Sequence, residues 1–73
     1  MSSREVYHRA DKVAAQACRE ATDYEEELTS RRIREVAYNA AINMPVEAGE
    51  EPITEEEATK IADDKARRHD RMY

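Results

Sequence analysis

Histidine and cysteine are the first residue types to consider for metal binding or nucleophilic chemistry, and this 73-residue sequence contains two histidines and one cysteine. His8 has Lys12 four residues later and His69 has Lys65 four residues earlier, so neither histidine belongs to an H-x-x-x-H or H-E-x-x-H metal-binding pattern. Cys18 has no second cysteine for a disulfide or a zinc motif, and its alanine neighbours indicate a small buried side chain. We therefore predict no metal site and no cofactor.

Carboxylates concentrate in residues 47–64, where eight acidic side chains and one basic side chain give a local charge of −7. Acid catalysis requires an apolar pocket that raises a carboxyl pKa, and this segment offers none. The sequence also lacks a glycine-rich phosphate-binding loop and a serine or cysteine beside a plausible base. We predict no catalytic residue and a protein that is not an enzyme.

Arginines cluster at Arg31, Arg32 and Arg34, in a segment that could serve as the recognition helix of a helix-turn-helix repressor. Against this, the preceding residues 23–29 are few and acidic, and the whole chain has a net charge of −5, whereas DNA-binding domains are usually basic. A second alternative is that the acidic segment mimics DNA, but residues 65–73 carry a charge of +3 directly after it. Both alternatives stay open as weaker interpretations than protein binding.

Tyrosine and arginine are the residue types that most often anchor a protein partner, because they combine a large contact area with polar groups. The sequence places such residues beside charged positions on amphipathic helices. The anchors that we predict are Tyr7, Tyr24, Arg31, Arg32 and Tyr38. The sequence thus favours a protein-binding regulator, and the alternative is that these residues cover a homodimer interface.

Helices are expected to position these residues, because 40% of the chain is charged, glycine occurs once and proline twice. The first helix is predicted to begin at Ser2, with Glu5 completing a capping box. Its apolar positions follow helical spacing. They are Val6, Ala10, Val13, Ala14, Ala17 and Ala21.

A second helix is indicated from Thr22, which precedes Glu25, Glu26 and Glu27, and it should end at Met44 before Pro45. Its main apolar stripe comprises Ile33, Val36, Ala37, Ala40, Ala41 and Met44, whereas Tyr24, Leu28, Tyr38 and Ile42 fall on the opposite side. Either this helix is continuous and apolar on two faces, or it breaks at Thr29 and Ser30 and restarts with Ser30 as its cap. The sequence leaves both open.

The third helix should follow a loop over residues 44–53, with Thr54 and Glu57 forming a capping box and Ile53 packing on Ala58. Its predicted buried face contains one large aliphatic residue, Ile61, and the whole chain has only nine valine, isoleucine and leucine residues. We expect an all-α fold of three helices. Residues 1–46 should form a two-helix core, and residues 47–73 an acidic loop and a charge-polarised helix that is loosely packed or flexible when free.

The N-terminal residues contain no apolar run of signal-peptide length, and no segment approaches the roughly 20 apolar residues of a membrane span. We therefore expect a cytoplasmic protein without a membrane partner.

Two stretches, SSREVYHRADKVAAQ at residues 2–16 and ITEEEATKIADDKARR at residues 53–68, together with the chain length, resemble small phage-encoded proteins that bind host bacterial RNA polymerase. These are the antitermination and initiation-inhibiting regulators of Xanthomonas phages. The resemblance implies binding to the N-terminal part of the β′ subunit, inhibition of σ-dependent initiation and suppression of termination, in the host cytoplasm. It carries no individual binding residue over to this chain.

Overall fold

The computed structural model describes residues 3–24 and 28–72, with the backbone alone for residues 70–72. It contains three helices, α1 (Arg4–Tyr24), α2 (Ser30–Ile42) and α3 (Glu55–Met72), and no strand within the described ranges. The predicted all-α class with three helices is confirmed.

Helix α1 begins at Arg4 and is capped by Ser3, whose Oγ accepts a hydrogen bond from the Val6 amide at 3.2 Å. The predicted cap, Ser2, lies outside the described residues. The helix starts one residue later than expected, and Glu5 is only two residues after Ser3, which is too close for a capping box. Adjacent serines offer the same capping chemistry, so the sequence could not separate them.

The α1–α2 connection settles whether the second helix is continuous. Thr22 lies inside α1, where its hydroxyl donates to the Cys18 carbonyl at 2.9 Å, so the prediction that a helix starts there is wrong. Thr29 is extended, with φ −80° and ψ 160°, and its hydroxyl oxygen accepts from the Arg32 amide at 3.1 Å. The chain therefore restarts as predicted by the second alternative, but Thr29 and not Ser30 is the cap. The predicted acidic turn, Glu25–Glu27, lies outside the described residues.

Helix α2 ends at Ile42, two residues before the predicted Met44. The Asn43 amide donates to the Asn39 carbonyl at 3.1 Å, and the Met44 amide donates to the Ala41 carbonyl at 3.3 Å, which satisfies two of the last helical carbonyls before Pro45. The loop then turns at Gly49, whose φ of +88° is a conformation that favours glycine.

Helix α3 begins with the predicted capping box, which is confirmed on both sides. The Glu57 amide donates to Thr54 Oγ1 at 3.1 Å, and the Thr54 amide donates to Glu57 Oε1 at 3.2 Å. Ile53, directly before the cap, is buried in the same core cluster as Ala58.

The core is built mainly from alanines contributed by all three helices. Its members are Val6, Ala10, Ala14, Ala37, Ala41, Ile53, Ala58, Ile61 and Ala62. The expected loose packing of α3 is not what the structure has, because Ala58, Ile61, Ala62 and Ala66 are at most 1% exposed. Small side chains let helix backbones approach closely, so dispersion contacts replace the missing large aliphatics. Flexibility of residues 47–73 in the free chain stays a prediction.

The three helices differ in how extensively they contact one another. Helix α2 packs against both α1 and α3, whereas α1 and α3 meet less extensively. Tyr7 of α1 and Ile61 of α3 line one cavity, and one turn further along both helices Asp11 pairs with Lys65, so α1 and α3 run in the same direction. None of the described helices has the length and apolar character needed to cross a bilayer.

Candidate protein-binding groove

A groove of about 740 Å³ lies between the N-terminal half of α1 and the middle of α3, open to solvent. We call it the α1–α3 groove. Its α1 wall comprises Arg4, Glu5, Tyr7, His8 and Asp11, and its α3 wall comprises Ile61 and Asp64. Val6 and Ala10 of α1 are buried in the core. Tyr7 and Asp11 each follow one of these buried positions in sequence, and both line the groove on successive turns of the helix.

Tyr7 is the aromatic residue of this groove, and it is partly buried against the core cluster. Burial raises the pKa of its phenol, and the carboxylates of Asp11, Glu57 and Asp64 raise it further, whereas Lys65 has the opposite effect. The phenol is therefore neutral at physiological pH and lies in a negative potential. An aromatic ring in such an environment suits a positively charged or hydrogen-bond-donating group.

A network of charges joins the two walls. Lys65 Nζ lies 2.8 Å from Asp11 Oδ1 and 3.5 Å from Asp64 Oδ2, and Arg68 Nε lies 3.3 Å from the same Asp64 oxygen. The Lys65 side chain is 8% exposed, whereas those of Asp11 and Asp64 are 36% and 45% exposed. The ammonium is thus enclosed while both carboxylates still face solvent.

The five predicted anchors do not form one surface. Tyr7 lies in the α1–α3 groove, and Tyr38 packs partly buried against the core cluster. Tyr24 ends α1 with 88% of its surface exposed, and Arg31 and Arg32 are exposed in the first turn of α2, at the same end of the helix pair. Their roles in binding stay predictions.

Sequence reasoning did not single out Asp11, Asp64 or Lys65 as site residues. Lys65 was considered only as a neighbour of His69, although its spacing from Ile61 and Ala62 places it on the buried face of the helix. That spacing could have indicated burial. The partner could not be found in this way, because Asp11 is 54 residues away.

Two of the three arginines considered for DNA binding, Arg32 and Arg34, are engaged within the chain. Arg32 pairs with Glu35 at 2.8 Å, and Arg34 Nε pairs with Asp63 at 3.0 Å. Acidic residues are engaged as well, because Glu50 pairs with Arg9 and also accepts from the Glu47 amide at 2.8 Å. These pairs reduce the charge that either a DNA-binding or a DNA-mimicking surface would present.

The surroundings of Cys18 and of the metal-ligating residue types add no reactive or metal-binding site in the described part of the chain. The Cys18 thiol donates a hydrogen bond to the Ile33 carbonyl at 3.8 Å, and burial raises the pKa of the thiol, which favours the unreactive protonated form. Across residues 3–24 and 28–69, no group of three histidine, cysteine, aspartate or glutamate side chains is placed to hold a metal ion.

Comparisons with protein-family models, with curated proteins and with solved structures gave no match to this chain.

Proposed function

We propose that this chain is a non-enzymatic regulator that acts by binding a protein partner, and that the α1–α3 groove is its principal docking site. The observation that carries the proposal is the position of Tyr7, an aromatic side chain partly buried in an open groove between two helices. Tyrosines in such partly desolvated positions are frequent centres of binding energy at protein interfaces.

The partner that we propose is bacterial RNA polymerase, through the N-terminal part of its β′ subunit. The support is the sequence resemblance of residues 2–16 and 53–68 to phage regulators of that enzyme. These two stretches include every residue that lines the groove, so the resembling segments and the candidate docking site coincide in the fold. Binding there would inhibit initiation and promote antitermination.

DNA binding by α2 is the second candidate, and two features weigh against it. Arg32 and Arg34 already pair with Glu35 and Asp63, and α2 packs against both neighbouring helices. A recognition helix needs an outward face that can enter the major groove and arginines directed at bases or phosphates.

The proposal is tested by affinity capture from a bacterial lysate with the full chain as bait. We expect the polymerase subunits to be recovered and free duplex DNA to remain unshifted in a mobility assay. The variant His8→Trp, at an exposed position on the groove wall, should reduce capture because the indole occupies the groove. Absence of polymerase from the captured proteins, or undiminished capture by His8→Trp, would overturn the corresponding part of the proposal.

A further inference from the structure

The α1–α3 groove has the size and composition to hold side chains of another protein. Its volume of about 740 Å³ lies within the roughly 300–1,000 Å³ typical of ligand sites. Tyr7 is partly buried and supplies an aromatic surface, whereas Ile61 of the opposite helix is 1% exposed and offers almost no surface of its own. A long side chain could therefore lay its methylene groups against the ring of Tyr7.

The charged groups around the groove differ in how far they are exposed to solvent. Glu5, Asp11 and Asp64 line it, and Glu57 lies close enough to Tyr7 to act on its phenol. The cations that face the same region are Arg4 on the wall, Lys65 beneath the two aspartates and Arg68 beside Asp64. The Lys65 side chain is only 8% exposed, whereas those of Asp11 and Asp64 are 36% and 45% exposed, so both carboxylates are accessible together with the exposed cations Arg4 and Arg68.

The pair between Arg68 and Asp64 is the weak member of this arrangement. Exposed ion pairs contribute about 0–1 kcal/mol, so an incoming cation can replace Arg68 at little cost. Lys65, in contrast, is held by both aspartates and keeps them close together. The two carboxylates are thus positioned in advance, with outward faces available to a second cation.

The electrostatics at Tyr7 agree with this geometry. After burial, the carboxylates of Asp11, Glu57 and Asp64 have larger effects on the phenol pKa than Lys65 has. The local potential is therefore negative despite the enclosed ammonium, as a site for a cation over an aromatic ring requires.

We propose that the α1–α3 groove binds a partner segment through a lysine or arginine side chain, whose methylene groups pack on Tyr7 and whose charged end lies beside Asp11 and Asp64. This inference rests on the proposed protein-binding function and specifies the chemistry of the partner. Long cationic side chains bury their stems on apolar surface while their charged ends meet carboxylates.

The probe is a yeast-displayed library of random short peptides, selected with the full chain as bait. We expect selected peptides to share a lysine or arginine flanked by apolar residues. Replacement of that arginine by its uncharged isostere citrulline, or of that lysine by norleucine, should weaken binding about tenfold, which corresponds to about 1.4 kcal/mol. Failure to select peptides, or selection without a shared basic residue, would overturn the inference.

A matched pair of double variants locates the binding site. Glu5→Gln with Asp64→Asn removes two groove carboxylates but keeps Asp11 for the enclosed Lys65, so the fold should persist. Glu20→Gln with Asp23→Asn makes the same charge change on α1, about 20 Å along the helix from Tyr7. The groove variant should bind selected peptides about tenfold more weakly, and the control should bind them unchanged. Equal binding by the two variants, with helicity equal by circular dichroism, would contradict the proposed site.

Lysate capture separates this inference from the function on which it rests. If RNA polymerase is captured equally by the wild type and by the groove double variant, the polymerase-binding function stands and the cationic anchor is wrong. If neither polymerase nor peptides are captured, both proposals fail.

Discussion

Lys65 of α3 holds its Nζ 2.8 Å from Oδ1 of Asp11 on α1, and only 8% of the lysine side chain is exposed. Asp64 provides a second carboxylate at 3.5 Å from the same nitrogen. The pair links the two helices that have the fewest other contacts in the bundle, and it fixes the carboxylates that border Tyr7. One interaction therefore serves both the fold and the shape of the candidate docking site.

The two members of this pair should differ in their effect on stability. Asp11→Asn leaves an enclosed ammonium with only the longer contact to Asp64, and we expect a loss of about 2 kcal/mol in the free energy of unfolding. Lys65→Met keeps the apolar stem and leaves a carboxylate that is already 36% exposed, so we expect a loss below about 1 kcal/mol. Urea denaturation measures both values, and a larger loss for Lys65→Met would contradict this account of the pair.

The capping box of α3 should contribute measurably to stability. Thr54→Ala removes the acceptor of the Glu57 amide hydrogen bond and should cost about 1 kcal/mol. Thr59→Ala is the matched control, because Thr59 is exposed inside α3 and its hydroxyl only bonds back to the Glu55 carbonyl. We expect this control to be neutral or slightly stabilising, since alanine is the better helix former. Thermal unfolding compares the two variants, and equal losses would refute the assigned role of Thr54.

Glu50, in the loop before α3, should make the free energy of unfolding depend on pH in the acidic range. Hydrogen bonds from Arg9, and then from the Glu47 amide, lower the pKa of Glu50 below its ordinary value of 4.5. A carboxylate with a lowered folded-state pKa stabilises the fold above its unfolded-state value, and this contribution disappears as the pH falls through the folded-state pKa. Glu50→Gln should therefore reduce stability at neutral pH and leave it less changed in acid below that pKa. A uniform loss at every pH would argue against the Arg9–Glu50 pair.

Tyr7 should ionise at higher pH than the ordinary tyrosine value of 10.0, because burial and nearby carboxylates disfavour the phenolate. The unfolded chain then loses its proton first, so the stability contributed by neutral Tyr7 is complete below pH 10.0 and declines as the pH rises above it. Ultraviolet absorbance titration should show that Tyr7→Phe removes a late-titrating phenol. A Tyr7→Phe variant that instead lost an ordinary or early transition would contradict the negative potential in the groove.

The sequence predicted the parts of this structure that depend on neighbouring residues. The capping box of Thr54 and Glu57 and the stop before Pro45 depend on contacts within a few residues. The break near Thr29 is one of the two alternatives that the sequence leaves open. Where two adjacent residues have equivalent chemistry, as Thr29 and Ser30 do, local rules predicted the feature but not the residue.

The parts that depend on tertiary packing were less predictable. The small number of large aliphatic residues suggested that α3 would pack loosely, whereas its inner face is buried. The apolar area of the side chains does not describe how closely alanine-lined helices approach each other. Tyr7 was nominated from its residue type, and its neighbours Asp64 and Ile61 came together only through the parallel pairing of α1 and α3. Residues far apart in sequence give no periodic signal of their contact.

Hydrogen–deuterium exchange of the full chain with and without purified bacterial RNA polymerase tests the central claim most directly, because it locates the contact without any substitution. The account predicts slower amide exchange in residues 4–11 of α1 and 57–65 of α3, which border the α1–α3 groove. Residues 30–34, which include Arg31 and Arg32, should change little. Protection confined to the end of the bundle that carries Tyr24, Arg31 and Arg32, or no protection at all, would contradict it.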